Sequence, residues 1–276
     1  MIRFTLILLV AFSAYLAQAQ KDTSSKDIYN VNYKWEAPVA VAFLGGSYFG
    51  FRILDKHASY TAEDVAKLNI QSINSFDRPI ASLNPTGFEQ AQKRSDLFLN
   101  ISIASPALLL LDKKVRHHWA EFATLLAMTH AVDNAIYFGA VISVRKARPL
   151  TYNPALPLDQ KIGEAKSNSF FSGHVSFSAT STFFAAKFYT DCHNIKGIKR
   201  ILIYTGAAIP PAFVGYYRMR AGKHFKSDVI TGLIVGAASG IGIQALHKLS
   251  QKDKNLSFQP YYNQGYNGIT MVYNIR

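Results

Sequence analysis

The stretch Gly215-Tyr-Tyr-Arg-Met-Arg-Ala-Gly-Lys-His-Phe-Lys-Ser-Asp228 decides how this chain is read. It gathers Arg218, Arg220, Lys223, His224 and Lys226, and places Asp228 four positions after the histidine, about one helical turn. Immediately beyond the aspartate, Val229 to Leu246 carries no charge. A solvated basic loop explains the cations, but not an apolar helix that begins at that aspartate. A histidine and an aspartate four apart share a helix face. The carboxylate can then hold one ring nitrogen and leave the other free to attack.

Composition narrows the partner. The formal charge of +13 over 276 residues points to an anion: nucleic acid, an anionic membrane surface or a phosphorylated substrate. Nucleic acid is set aside, because no recognition-helix, zinc-finger or aromatic-and-basic RNA pattern occurs and 49% of the residues are hydrophobic. Cys192 is the single cysteine, which excludes an internal disulfide framework and a cysteine-based metal site. Residues 1–19 read as a signal peptide, with Arg3, the apolar run Phe4 to Leu16 and the small-x-small site Ala17-Gln18-Ala19. The alternative is a first membrane anchor, for which the apolar run is short. Either way the chain is directed out of the cytoplasm, to an inner membrane with a periplasm-facing site or to the periplasm.

Outward from the opening stretch, six apolar segments follow a polar lead, at 37–54, 97–111, 119–144, 172–189, 200–217 and 229–249. Their length argues for helices and an all-α six-helix bundle. Residues 20–96 form an N-terminal helix and a polar connection in which Thr61-Ala-Glu-Asp64 can cap a short helix. Residues 97–250 form the core. Residues 251–276 form a tail in which Gln264-Gly265 and Asn267-Gly268 signal turns and Ile269 to Ile275 is β-prone, so a terminal hairpin is expected. Gly232, Gly236 and Gly240 make a small-residue ridge suited to close helix packing in lipid or in a soluble core. Lys113, Lys114 and Arg116, with Lys196, Lys199 and Arg200, mark two loops that the positive-inside rule places in the cytoplasm. The ends carrying Arg148, His174 and His224 then share the opposite side. With a cleaved leader, segment 37–54 would not span in that arrangement. His130 and Asp133 read as a buried polar pair, and His117, His118, His193 and His247 as surface residues.

Three polar clusters stand at helix ends: Arg145-Lys-Ala-Arg-Pro149, Ser169-Phe-Phe-Ser-Gly-His174 and the opening stretch. An arginine offers a planar fork of donors matched to phosphate oxygens. Ser172 and Gly173 begin a helix, where free amides and the helix dipole favour an anion. His174 stands where it can protonate a leaving oxygen. Together they point to in-line displacement at phosphorus with a phosphohistidine intermediate.

The three clusters resemble the signature motifs of the type 2 phosphatidic acid phosphatase (PAP2) superfamily, which spans lipid phosphatases, bacterial acid phosphatases and vanadium haloperoxidases. Arg218, His224 and Asp228 match the third motif in full, Ser172, Gly173 and His174 the second, and Arg148 and Pro149 the first. The resemblance implies a helical bundle with the site at one end. It implies His224 as nucleophile, Asp228 as its orienting partner and His174 as general acid. Arg148, Ser172, Gly173 and Arg218 would cradle the phosphate, and no metal or other cofactor would be needed. The substrate would be a phosphorylated lipid or a small phosphomonoester. Two positions depart from the motifs: Val141 replaces a lysine and Phe171 a proline. A lost charged contact is worth on the order of 1.5–3 kcal/mol, and Lys146, Arg145 or Lys223 could replace it. The departures keep open a non-catalytic binder of phosphate or anionic lipid. A vanadium haloperoxidase is the remaining alternative.

Overall fold

The computed structural model describes residues 27–252, 256–263 and 266–273, so the leader expected at 1–19 lies outside the described residues. The main helices are α1 (Tyr33–His57), α2 (Phe88–Ala104), α3 (Trp119–Ser143), α4 (Gly173–Cys192), α5 (Gly197–Ala207), α6 (Ile209–Arg220) and α7 (Lys226–Lys252). The helical class expected from the sequence is the class observed. Segment 200–217 is two helices rather than one. Pro210 and Pro211 open α6, and a proline lacks the N–H needed to continue α5 while suiting a first turn. Segment 97–111 begins earlier, at Phe88, and ends in a 3-10 stretch, Ser105–Leu111. In the polar connection, Thr61 and Asp64 form the expected capping box.

Helix α4 is the axis of the bundle and touches α2, α3, α5, α6 and α7. Its buried surface is built from small hydroxyl residues, Ser176, Ser178, Thr180, Ser181 and Thr182, beside Ala179 and Phe184. Several of these hydroxyls bond back to their own helix, as Ser181 Oγ does to Phe177 O and Thr182 Oγ1 to Ser178 O. The glycine ridge of α7 lies directly on this surface. A Cβ at Gly232 would stand 2.5 Å from Ser172 O, one at Gly236 nearer still to Ser176 O, and one at Gly240 2.8 Å from Thr180 O. The ridge therefore serves packing inside the chain, backbone against backbone.

The bundle has two unlike ends. Helix α1 starts beside Tyr29, whose hydroxyl donates to Asp191 and contacts Gln244, and finishes at Asp55, which accepts from Asn168 near the second motif. Thus segment 37–54 lies in a helix that runs from one end of the bundle to the other. Both basic loops lie at the Tyr29 end. His118, His193 and His247 also sit there, and none is a free surface residue: they pair with Glu121, Asp112 and Glu36. All three predicted motifs lie at the other end. His130 and Asp133 do not pair; His130 meets Ser181, and Asp133 accepts from Ser176 at 2.6 Å.

The polarity of the bundle is partly inverted. Ser95, Ser102, Thr129, Asp133 and Ser178 are buried, while Phe49, Ile53, Leu97, Ile101, Ile142, Leu202, Phe213 and Ile234 face outward. Four helical stretches, Tyr33–His57, Pro85–Leu111, Trp119–Ser143 and Lys226–Lys248, are long and apolar enough to cross a membrane. The tail forms the expected hairpin, β1 (Leu256–Asn263) antiparallel to β2 (Tyr266–Tyr273). Asn267-Gly268 lies within β2, opposite Tyr262 and Tyr261, and does not form the turn.

The ridge yields a direct test. Gly236→Ala drives a methyl into the Ser176 carbonyl and is expected to cost about 1–3 kcal/mol. Gly242→Ala meets nothing within 4 Å and serves as the control. Thermal unfolding in detergent should show a lowered Tm for the first variant and an unchanged one for the second.

Candidate active site

His224 sits in the turn between α6 and α7. Gly222 makes that turn possible with φ +62°, and a side chain there would collide with the Phe88 ring at 2.6 Å. The imidazole is fully buried, and Nδ1 lies 2.7 Å from the Ser169 carbonyl. A carbonyl only accepts, so Nδ1 carries the proton and Nε2 presents its lone pair. Burial, then the Arg218 and Arg148 guanidiniums, hold this histidine well below its ordinary pKa. It is a neutral imidazole protonated on Nδ1.

Asp228 does not hold the histidine directly, as its spacing suggests. Its Oδ2 accepts from the Phe225 amide at 2.9 Å and from Ser169 Oγ at 2.6 Å, and its Oδ1 accepts from Lys146 Nζ at 2.7 Å. The Phe225 amide lies three residues back, the reach of an acid in the first turn of a helix that caps its start. Asp228 thus acts on His224 at one remove, by anchoring Ser169, whose carbonyl fixes the ring. Asp77, from the polar connection, accepts from the amide and hydroxyl of Ser227 at 3.0 and 2.6 Å. The sequence reading gave no role to Asp77 or Ser169. An acid just before Arg78-Pro79 carries no chemical signature of its own.

The second and third motifs are joined through the backbone, where the Ser172 amide donates to Asp228 O at 3.0 Å. The first two residues of α4, Gly173 and His174, have amides with no partner within the helix. A Cβ on Gly173 would stand 2.8 Å from the Tyr137 ring, which accounts for the glycine. Ser172 Oγ and Arg218 Nε are buried without a hydrogen-bond partner. Both stand at motif positions and are donors of the kind that anionic oxygens accept from. Arg148 is buried and held by Nε–H donating to Asn168 Oδ1 at 2.9 Å; Asn168 in turn donates to Asp55.

The two departures from the motifs occupy one place. Val141 and Phe171 pack in a single apolar cluster with Leu54 and Tyr137. A lysine at position 141 would enter that cluster. Of the three substitute cations, Arg145 donates to Ser59 O and Lys146 is committed to Asp228. Lys223 remains: burial, then Arg148 and Arg218, push it down to about 7. The two arginines that act on it are those of the motifs.

His174 opens α4 with its Nε2 3.2 Å from Asp96 Oδ1, a residue on α2 that the sequence reading passed over. The same oxygen is 3.9 Å from Arg218. Burial and Arg218 depress the pKa of His174, against which Asp96 raises it. A surface hollow of about 430 Å³ beside α5, lined by Arg200, Ile201, Tyr204, Thr205 and Ile241, contains none of these residues.

Residues 121–252 match the family model of the PAP2 superfamily. No curated protein and no solved structure matches the chain. The matched region holds all three motifs and defines the class: residues 121–252 are a PAP2 superfamily region.

The depressed lysine predicts how anion binding responds to pH. Tungstate, a dianion throughout the neutral range, binds most tightly while Lys223 is protonated. Its affinity should be full below pH 7 and fall as the pH rises through and above that value. Isothermal titration of wild type and Lys223→Met checks this: the variant should bind more weakly at pH 6 and lose most of the pH dependence.

Proposed function

We propose that this protein is a phosphatase that hydrolyses a phosphomonoester or diphosphate of a lipid through a phosphohistidine intermediate. The observation that carries the reading is the pairing of a free, neutral His224 Nε2 with an unfilled set of donors, Ser172 Oγ and Arg218 Nε. Arg148, Arg218, Lys223, Ser172 and the α4 amides bind the phosphoryl oxygens and stabilise their developing charge. His224 Nε2 attacks phosphorus, and the bond to the ester oxygen breaks. His174 gives that oxygen its proton, a contribution of about 10²–10⁴ in rate. A water then attacks the phosphohistidine, returns a proton to His174 and releases phosphate and the free imidazole. Ser169 and Asp228 keep the ring in the attacking tautomer. No step draws on a metal.

A lipid substrate follows from the setting. The site lies at the end of a bundle whose outer surface is apolar and whose interior is rich in hydroxyls. The six cations of the two basic loops support a cytoplasmic far end and a site at the outer face. A leader cleaved outside pulls against this, because α1 starts at the basic end. The loop charges are the stronger constraint, since two separate loops agree. Impermeant thiol labelling of intact cells tests the orientation. Cysteine placed at Lys161, near the site, should react, and cysteine at Lys196 should not; the reverse pattern overturns the outer-face placement.

The chemistry is tested by phosphate release from p-nitrophenyl phosphate and a panel of lipid phosphates, without added metal. His224→Ala should abolish release, a loss of at least about 10³-fold for a covalent nucleophile. Wild type and His224→Ala with equal background rates would leave a non-catalytic phosphate binder. Bromide oxidation by the vanadate-loaded protein would indicate haloperoxidase chemistry instead.

A further inference from the structure

Asp96 stands outside the region matched by the family model and outside the three motifs. Its carboxylate nevertheless reaches the site, with Oδ1 against both His174 Nε2 and the Arg218 guanidinium. Its side chain is 43% exposed, and Oδ1 is the oxygen that meets the site. The His174 ring retains 33% exposure beside it. The charged groups acting on His174 are Arg218 from α6, Arg148 from the first motif and Asp96 from α2; Asp96 is the anion among them. Lys223 from the turn before α7 acts on Asp96 as well.

A general acid flanked by two arginines faces a physical difficulty. Each guanidinium disfavours the imidazolium that must form before a proton can be delivered. A carboxylate on the far ring nitrogen offsets this and fixes the ring. With Nε2–H donating to Asp96, Nδ1 is the nitrogen that exchanges its proton. Among the described residues, the hydrogen bond of the His174 ring is the one at Nε2, which leaves Nδ1 unengaged.

We propose that Asp96 is the positioning residue for His174, holding Nε2–H so that Nδ1 faces the leaving oxygen and supplying the charge that lets the ring cycle through imidazolium beside Arg148 and Arg218. This rests on the phosphatase reading. In the first step the Nδ1 proton passes to the ester oxygen as the P–O bond breaks. In the second, Nδ1 takes a proton from the attacking water. The proton on Nε2 stays on the ring, bonded to Asp96, in both steps.

Leaving-group dependence and pH separate this role from a structural one. p-Nitrophenolate departs without protonation, whereas an alkoxide needs its proton. Asp96→Asn should lower kcat/KM, which ends at departure of the leaving group, about 10- to 100-fold for an alkyl phosphate and change kcat/KM for p-nitrophenyl phosphate by less than about threefold. Losing the carboxylate lowers the pKa of His174, so the acid form disappears at lower pH. The alkaline limb of kcat/KM for the alkyl substrate should therefore move down in pH, and Asp96→Glu should restore both the rate and the limb. Tungstate affinity of Asp96→Asn should be unchanged or tighter, showing an intact cradle. Equal losses on both substrates, an unmoved alkaline limb, or lost tungstate binding would each overturn the assignment while wild type remains active. A wild type inactive on both substrates would instead remove the phosphatase reading itself.

Discussion

The structure depends on one close approach, the passage of α7 over α4 through Gly232, Gly236 and Gly240. With carbonyls of α4 sitting where side chains would otherwise be, the two backbones are in contact. That contact fixes how the starts of the two helices meet. The Ser172 amide bonds Asp228 O, and the Ser169 carbonyl bonds His224. Two motifs some fifty residues apart thereby become one site. Any side chain in the ridge would separate them, and the geometry between the α4 amides and the His224 ring would be lost.

Beneath the site lies a second constraint, a buried network of Asp77, Lys146, Ser169, Ser227 and Asp228. Burying charges is costly unless each is paired and hydrogen-bonded. Here both oxygens of Asp228 and both of Asp77 have partners. The network ties together the polar connection, the first motif, the second motif and the start of α7. Rigid support of this kind keeps the His224 ring in place. It also accounts for Lys146, which is the counter-charge of Asp228.

At the first motif, Val141 stands at the position of the family lysine and packs with Phe171 and Tyr137. This leaves an apolar wall where α1 and α3 meet, with Leu54 against Tyr137 and Val141. Lys223, in the turn before His224, is a cation whose charge the two motif arginines oppose.

Much of this was legible in the chain itself. Apolar segment lengths determined the helical class, because a run of fifteen or more apolar residues is too long for an ordinary strand. The motif residues were legible because arginine, histidine and a glycine at a helix start are chemically specific wherever they occur. Local capping was legible too, as Thr61 and Asp64 show. Only the tertiary structure decided what Asp228 does, since an acid at that position can face His224 one turn back or cap the helix start at Phe225, three residues back. It alone showed Asp96 and Asp77, each brought in from a distant segment by packing, and it alone divided 200–217 into two helices. The reason is physical. Residue type and short spacing determine what a side chain is able to do. Which partner it meets depends on where backbones cross, and here that is set by three glycines whose contacts lie more than fifty residues away in sequence.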